Sequence, residues 1–223
     1  MAERFTERLR RRADAIWEAQ HNHPFVRGIG EGTLDLERFK FWVRQDYLFL
    51  VEYGRLLALA SARSPDLPTM TRFAGLLWGT LETEMGLHRS YASEFGISSE
   101  ELEAEEKAPA TQAYTDFLVR TAAAGDFAEL VAALLPCMWA FCEIGQRLAA
   151  GPPPADERYR RWIEMYSSPE FAALADWCRG LLDRLAAGRS EKELSRLEAA
   201  FLTSSRYEYL FWEMAYRQEG WPV

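Results

Sequence analysis

Apolar residues recur at intervals of three and four positions over long stretches of the chain, and alternating strand patterns are nearly absent. This spacing predicts amphipathic helices. Capping residues predict where several of these helices begin. The predicted starts are Thr33 before a helix from Leu34 to about Ser61, Asp126 before a helix to about Ala150, Ser168 before Pro169, and Ser190 before a helix to about Gln218.

Proline, glycine and serine residues separate the predicted helices. Breaks are expected at His23-Pro24, the Gly28/Gly30/Gly32 stretch, Ser64-Pro65, Lys107-Ala-Pro109 and Gly151-Pro-Pro-Pro154. About eight helices with short connections follow from this pattern, with no internal repeat or long linker. We therefore expect residues 1–223 to form a single-domain, all-α helical bundle, with any site between facing helices.

The charge balance restricts the kind of partner. The chain has 26 Lys and Arg residues against 34 Asp and Glu residues, for a formal net charge of −8. Duplex-binding proteins normally show a basic face. The densest basic run, Arg8 to Arg12, is flanked by Glu3, Glu7 and Asp14, which is typical of a solvated helix face. We expect no nucleic-acid partner.

The chain also lacks the features of a membrane or secreted protein. The longest apolar run, from Leu130 to Cys142, contains Pro136 and is too short to span a membrane. The N-terminus is charged and has no apolar segment of a secretion signal. Three cysteines without framework spacing are typical of a reducing compartment. We expect a cytoplasmic protein with no membrane partner.

Asp46 is a polar residue on an apolar helix face. Its neighbours three, four and seven positions away are Phe39, Trp42, Val43, Phe49, Leu50 and Tyr53. A carboxylate in such a stripe is desolvated and requires a hydrogen bond or a charged partner. Asp46 is therefore either a structural link between two helices or a functional carboxylate, and its own helix does not decide between them.

Cys137 lies on another apolar helix face, directly after Pro136. A cysteine in such a position is most often a small core residue. However, a proline inside a helix removes a backbone donor and predicts a kink beside the thiol, and kinks often mark sites. Cys142 and Cys178 lack this context, so we interpret them as packing residues.

Glu208 occupies a helix face that is mixed on one side and aromatic on the other. Glu213 and Glu143 are set aside, because each has an arginine four residues later and predicts a surface ion pair. Tyr114 and Tyr166 place hydroxyl groups near apolar runs. Such tyrosines are most often core aromatics with a satisfied hydroxyl.

The histidines offer little metal chemistry. His88 lies four residues after Glu84, which predicts either a local hydrogen-bonded pair or half of a metal site. His21 and His23 fall in a predicted loop, and a di-iron bundle needs Glu-x-x-His on two helices, which this chain does not supply. We expect no metal and no cofactor. A phosphate loop and a serine nucleophile elbow are also absent from the sequence.

Six sequence blocks follow one another along nearly the whole chain, with Glu219-Gly-Trp221 after the last. They are His23–Thr33, Phe41–Tyr47, Glu84–His88, Ala133–Trp139, Trp162–Tyr166 and Tyr207–Tyr216. In this order they resemble the TenA family, the thiaminase II or aminopyrimidine aminohydrolase enzymes. The resemblance implies the all-α fold of heme oxygenase without heme, a homotetramer, and a role in thiamin salvage.

The resemblance also implies roles for individual residues. Cys137 corresponds to the family's nucleophile and Glu208 to its acid/base carboxylate. Asp46 corresponds to the carboxylate that binds the amino group of a pyrimidine. Tyr114 and Tyr166 correspond to aromatic and hydroxyl groups around the ring and the nucleophile.

Phe49 departs from the family pattern, because many members have tyrosine at this position. The missing hydroxyl removes a hydrogen bond worth about 1 kcal/mol and leaves the preferred substrate open. We expect Phe49 and Tyr114 to sandwich the flat ring of the substrate.

The implied reaction is hydrolysis of 4-amino-5-aminomethyl-2-methylpyrimidine to 4-amino-5-hydroxymethyl-2-methylpyrimidine through a covalent Cys137 adduct, with thiamin as a second substrate. Two other interpretations stay open. A non-catalytic pyrimidine-binding or regulatory protein would bind the pyrimidine without forming product. A heme or di-iron oxygenase on the same bundle would contain iron.

Overall fold

A computed structural model describes residues 3–223, which contain helices and no strand. The all-α prediction is therefore confirmed. The helices are α1 (Phe5–His21), α2 (Pro24–Glu31), α3 (Leu36–Ala62), α4 (Leu67–Gly79), α5 (Met85–Glu94), α6 (Ser99–Ala104), α7 (Pro109–Ala124), α8 (Phe127–Ala149), α9 (Glu157–Ser167), α10 (Pro169–Ala186) and α11 (Glu191–Arg217). A short π turn, Thr80–Glu84, separates α4 from α5.

The helices are distributed over two compact units. The first unit comprises the described residues up to Leu34 and Ala128–Trp212, and so contains α1, α2, α8 to α10 and most of α11. The second unit comprises Asp35–Phe127 and Glu213–Val223, and so contains α3 to α7 and the end of α11.

Helix α3 begins two residues later than its predicted start, because Asp35 is its capping residue. The Asp35 carboxylate accepts the backbone N–H groups of Glu37 and Arg38. The N–H of Thr33 instead donates to the carbonyl of Gly28 and closes the end of α2. The prediction of Thr33 as the cap is therefore wrong.

The glycine stretch after His23 forms helix α2 and not the predicted turn. A Cβ on Gly30 would lie 2.6 Å from Cδ2 of Leu148, so the missing side chain lets α2 pack against α8. Gly32, with a φ of 70°, ends α2 in the left-handed conformation. His21 is the last residue of α1, so the prediction of a loop is wrong for this residue. His23 does lie in the short connection between α1 and α2, where it caps α2. Helix packing here outweighs the low helix propensity of glycine.

Three other predicted helix starts agree with the structure. The Ser168 hydroxyl accepts the Phe171 N–H at the start of α10. Ser190 and Glu193 exchange hydrogen bonds between side chain and backbone at the start of α11, as a capping box requires. Helix α8 starts directly after Asp126. Residues 3–223 contain eleven α-helices where the pattern predicts about eight, because the π turn and the short helices α2 and α6 are hard to find from periodicity.

Helix α8 forms the most apolar element of the first unit and runs continuously through Pro136. Within residues 3–223 it is the one helix long and apolar enough to cross a membrane by length and composition alone. However, 78% of its apolar window is buried inside the structure, as is typical of a core helix.

Gly145 allows α8 to approach α9. A Cβ at this position would lie 2.5 Å from the backbone carbonyl carbon of Tyr166, and backbone cannot move aside as the end of a flexible side chain can. We expect Gly145→Ala to lower the free energy of unfolding by about 2 kcal/mol or more. Gly75→Ala in α4 is the matched control, because the added Cβ meets open space. It should raise the free energy of unfolding by about 0.5–1 kcal/mol. Urea unfolding measures both, and equal effects would contradict this explanation.

Candidate active site

The sequence-predicted site residues are divided between the two units. The first unit carries Cys137, Tyr166 and Glu208. The second unit carries Asp46, Phe49 and Tyr114. All of them except Cys137 are buried, with exposed fractions between 1% and 4%.

Cys137 is the one residue between Leu130 and Cys142 that keeps partial solvent access. Every other residue of this run is buried. A thiol must be reachable and able to ionise before it can act as a nucleophile. The core helix α8 therefore leaves one thiol partly accessible within its most apolar segment.

The other two cysteines have the surroundings expected of packing residues. Burial, together with nearby acidic side chains, raises the pKa of the Cys142 thiol and disfavours its thiolate. Cys178 is fully buried, and its sulfur lies 3.5 Å from the sulfur of Met138. Neither thiol matches the half-exposed position of Cys137.

Helices α8 and α11 lie side by side in the first unit and run in the same direction. Their side-chain contacts follow the same order along both helices. These contacts are Glu129 with Arg196 at 3.6 Å, the ring of Trp139 with that of Phe201 at 6.1 Å, and the ring of Phe141 with that of Trp212 at 5.0 Å.

Cys137 and Glu208 occupy equivalent positions on this helix pair. Each lies four residues before a member of the Phe141–Trp212 contact, which is about 6 Å of helix rise. Residues four apart share a helix face. The partly accessible thiol and the 3% exposed carboxyl group therefore each lie one helical turn from the same contact between α8 and α11.

Tyr166 on α9 joins the same region of the first unit. Its ring centroid lies 4.9 Å from that of Phe141 and 4.7 Å from that of Trp162. Trp212 also packs against Trp162, at 6.3 Å. This aromatic cluster holds α8, α9 and α11 together one helical turn from the thiol and the buried carboxyl group.

Phe49 and Tyr114 contact each other directly in the second unit. Their ring centroids are 5.0 Å apart at an interplanar angle of 35°, and Phe49 also stacks on Tyr53 at 5.6 Å. A ring between two others would separate their centroids by roughly twice the usual pair distance of 4.5–7 Å. The expected sandwich is therefore wrong for this arrangement, and the two rings form one continuous aromatic wall.

Gln45 fixes the start of α7 and was not found from the sequence. It is 1% exposed, and its Oε1 accepts the Ala108 N–H and the Thr111 hydroxyl, both at 2.8 Å. Its Nε2 donates to the carbonyl of Glu106 at 2.9 Å. Tyr114 follows Thr111 by one helical turn, so this amide on α3 positions the helix that carries Tyr114.

Asp46 forms a buried pair with His88. Asp46 Oδ2 lies 2.7 Å from His88 Nε2, while Nδ1 of the same ring lies 2.9 Å from the backbone carbonyl of Glu84. The predicted local bond between His88 and Glu84 is thus present, with the backbone as acceptor. The sequence does not predict the pairing with Asp46, because the two residues lie on different helices and helix periodicity does not describe contacts between helices.

The protonation of His88 follows from these contacts. Burial of the ring lowers the pKa of His88, but the hydrogen bond and the charge of Asp46, aided by Glu84, outweigh it, and the net pKa is raised above its ordinary value. An imidazolium–carboxylate pair is therefore favoured. Asp46 contacts His88 through one carboxylate oxygen and so links α3 to α5, as expected of a structural link between two helices. This contact does not involve its other carboxylate oxygen.

Glu213 and Glu143, which the sequence predicts to form surface ion pairs, both pair with arginine side chains. Glu213 forms an ion pair with the arginine four residues later, as predicted. The predicted Glu143–Arg147 pair is wrong. Glu143 pairs with Arg10 at 3.1 Å and Arg147 with Glu18 at 2.6 Å. Helix α1 supplies both new partners, which a pattern confined to α8 cannot show.

Groups of three or more His, Cys, Asp or Glu side chains arranged to hold a metal ion are not found within residues 3–223.

The first unit of this all-α fold carries a partly accessible thiol on α8 and a buried carboxyl group on α11, two helices that contact each other. The model of the TENA/THI-4/PQQC family matches residues 10–218. The chain therefore belongs to this family, and the resemblance seen in the six sequence blocks is confirmed.

Relatives of known name match almost the full chain. This protein is 49% identical over 218 residues to an aminopyrimidine aminohydrolase from Halalkalibacterium halodurans, and the match covers 97% of both chains. It is 39% identical to an aminopyrimidine aminohydrolase from Bacillus subtilis, covering 98% of this chain and 92% of the relative.

Solved structures agree with the fold. The crystal structure of a TenA family transcription regulator from Silicibacter sp. TM1040 superposes with a TM-score of 0.88 at 33% identity, covering 95% of this chain and 96% of the other. A domain with a heme oxygenase-like fold from Shewanella denitrificans superposes with a TM-score of 0.72 at 13% identity, covering 96% of this chain and 92% of the other. The prediction of a heme-oxygenase-like fold is confirmed.

Proposed function

We propose that this protein is an aminopyrimidine aminohydrolase of thiamin salvage. Water replaces the amine on the exocyclic methylene of 4-amino-5-aminomethyl-2-methylpyrimidine and gives 4-amino-5-hydroxymethyl-2-methylpyrimidine, with thiamin as a second substrate. The observation that carries the proposal is the 49% identity over 97% of both chains with a relative of that name. The half-exposed Cys137 thiol supplies a nucleophile for it.

Cys137 and Glu208 are assigned the chemistry. The Cys137 thiolate adds to a ring carbon while the Glu208 carboxylic acid delivers a proton to a ring nitrogen. The ring, now electron-rich, expels the amine from the methylene. The amine is protonated in the substrate, so it leaves as ammonia. Water then adds to the methylene and gives one proton to that ammonia, the carbon–sulfur bond breaks and returns its electron pair to the Cys137 thiolate, and the ring proton returns to Glu208. Thiazolium replaces the amine as leaving group when the substrate is thiamin.

Asp46, Phe49, Tyr114 and Tyr166 are assigned to substrate binding. The Asp46 carboxylate accepts an N–H of the pyrimidine amino group in a charge-assisted hydrogen bond. The aromatic wall of Phe49 and Tyr114 presents an apolar face to the flat ring. Tyr166 belongs to the aromatic cluster one turn from Cys137 and lies on the nucleophile's side of the substrate.

The chain is proposed to work as one TenA domain in the cytoplasm. The family match spans residues 10–218 and so includes helices of both units. Cys137, Cys142 and Cys178 form no disulfide, which is typical of a reducing compartment.

A homotetramer is proposed as the working assembly. Helix α4 and the π turn carry an exposed apolar stripe that includes Leu67 and Trp78, which are 71% and 68% exposed, and also Met70 and Leu81. Exposed apolar patches are typical of protein interfaces. Analytical ultracentrifugation should give the mass of four chains, and a monomeric mass would contradict the assembly.

Incubation of the purified protein with the aminopyrimidine and with thiamin tests the activity. We expect the hydroxymethylpyrimidine from both, identified by chromatography and mass. Binding of the pyrimidine without product would favour a non-catalytic binding or regulatory protein instead. Stoichiometric iron in the purified protein would favour an oxygenase.

A further inference from the structure

The number of protons on the Asp46–His88 pair follows from what surrounds the imidazole. The Glu84 carbonyl can only accept, so His88 Nδ1 carries a hydrogen. In a neutral ring, Nε2 would then present a lone pair to Asp46 Oδ2 at 2.7 Å. Two acceptors at that distance in a buried site repel each other. A proton on Nε2 removes this repulsion and leaves an imidazolium in contact with the carboxylate.

The surroundings of His88 fix the orientation of its ring. The ring is fully buried, with the Trp42 ring 5.1 Å and the Tyr91 ring 6.4 Å from it between centroids. The π turn directly before α5 sets the register of that helix, because the Met85 N–H donates to the carbonyl of Thr80, five residues earlier. π turns inside helical segments are frequent at functional sites.

We propose that His88 is a positioning residue that holds Asp46 Oδ2, so that the other carboxylate oxygen is presented to the amino group of the pyrimidine. The inference rests on the proposed function and names the group that orients its recognition carboxylate. A carboxylate fixed through one oxygen loses less conformational freedom when the substrate binds. His88 touches Asp46 and acts on the substrate only through it.

The charged groups around His88 give this role a pH dependence. Helix α5 packs against α3, the π turn and α6. From α3 the charged group facing His88 is Asp46, and from the π turn it is Glu84. On α6 the buried residue is the uncharged Leu102. The acidic residues of α6 are exposed, and they are Glu100, Glu101 and Glu103.

The direction of the pH effect follows from the raised pKa of His88 in the folded protein. The pair is complete below this pKa and loses its shared proton as the pH rises through it. Asp46 Oδ2 then loses its donor and the carboxylate is no longer held. We therefore expect the KM for the aminopyrimidine to increase at alkaline pH.

His88→Gln tests the role, because glutamine keeps an N–H donor close to the position of Nε2 but does not titrate. We expect KM to rise about three- to tenfold, kcat to change by less than about twofold, and the alkaline increase of KM to disappear. His21→Gln, which alters another buried histidine in the first unit, is the matched control and should keep the wild-type profile.

A ring-nitrogen NMR measurement keeps the inference testable if His88→Gln does not fold. The wild type should show His88 protonated on both nitrogens at neutral pH, and Asp46→Asn should abolish the second proton. A neutral His88 in the wild type would overturn the inference.

The outcomes separate this inference from the proposed function. If the wild type hydrolyses the pyrimidine but His88→Gln shows the same KM and pH profile as His21→Gln, the positioning role is overturned and the function stands. If the wild type neither hydrolyses nor binds the pyrimidine, the proposed function is overturned, and with it any role of His88 toward that substrate.

Discussion

Replacing Cys137 with serine should abolish formation of the hydroxymethylpyrimidine and lower kcat/KM by roughly a thousandfold or more. Serine nearly preserves the size of the side chain, so the packing of α8 should change little. Its hydroxyl has a far higher pKa than a thiol and supplies no useful nucleophile without an adjacent base. Product formation over long incubation, followed by chromatography, measures the effect.

Cys142→Ser is the matched control for this prediction. It makes the same atomic change on the same helix, at a thiol that is 5% exposed and whose pKa burial raises. We expect turnover within a fewfold of wild type, with some loss of stability from burying a hydroxyl. Near-normal turnover by Cys137→Ser, or an equal loss in a folded Cys142→Ser, would contradict the assignment of the nucleophile.

The same variant separates an enzyme from a binding protein. Cys137→Ser should still bind the pyrimidine, because the groups assigned to recognition are unchanged. A binding protein would bind equally well before and after the substitution and form no product in either case. The wild type should in addition show a mass increase on the Cys137 peptide when quenched during turnover.

Much of the fold was predictable because its signals are local. The caps at Ser168 and Ser190 and the start of α8 depend on residues within one turn of each other, and the structure agrees with them. Helix α2 was missed because Gly30 is explained by Leu148, which lies far away in the sequence. When the packing of Gly30 against Leu148 is not known, a stretch rich in glycine predicts a turn.

The site was predictable residue by residue but not as an arrangement. Periodicity alone predicts the burial of Asp46, since residues three and four apart share a helix face, but it leaves Glu208 on a mixed face although the structure buries it. It cannot predict that His88 faces Asp46, because the two lie on different helices. Nor can it predict that Cys137 alone keeps solvent access within an apolar run, which depends on what covers each side of α8.

Replacing Glu208 with glutamine should lower kcat by roughly a hundredfold or more while the protein stays folded. Glutamine has nearly the same shape as glutamic acid and still offers hydrogen bonds at this 3% exposed position. It cannot deliver a proton to the ring nitrogen, so addition of the thiolate would leave uncompensated charge on the pyrimidine. Steady-state turnover and the melting temperature measure the two parts of this expectation.

Glu213→Gln is the matched control, because it makes the same change on α11 at a residue that pairs with a surface arginine. It should leave kcat unchanged.

Glu208→Gln could be inactive because proton transfer to the ring is lost or because the Cys137 thiol is no longer activated, and the rate at which iodoacetamide alkylates Cys137 distinguishes these two reasons. An unchanged rate with lost turnover places Glu208 in the proton transfer, since the thiol then remains reactive. A strongly lowered rate would instead mean that Glu208 acts by activating the thiol, and near-normal turnover would exclude both roles.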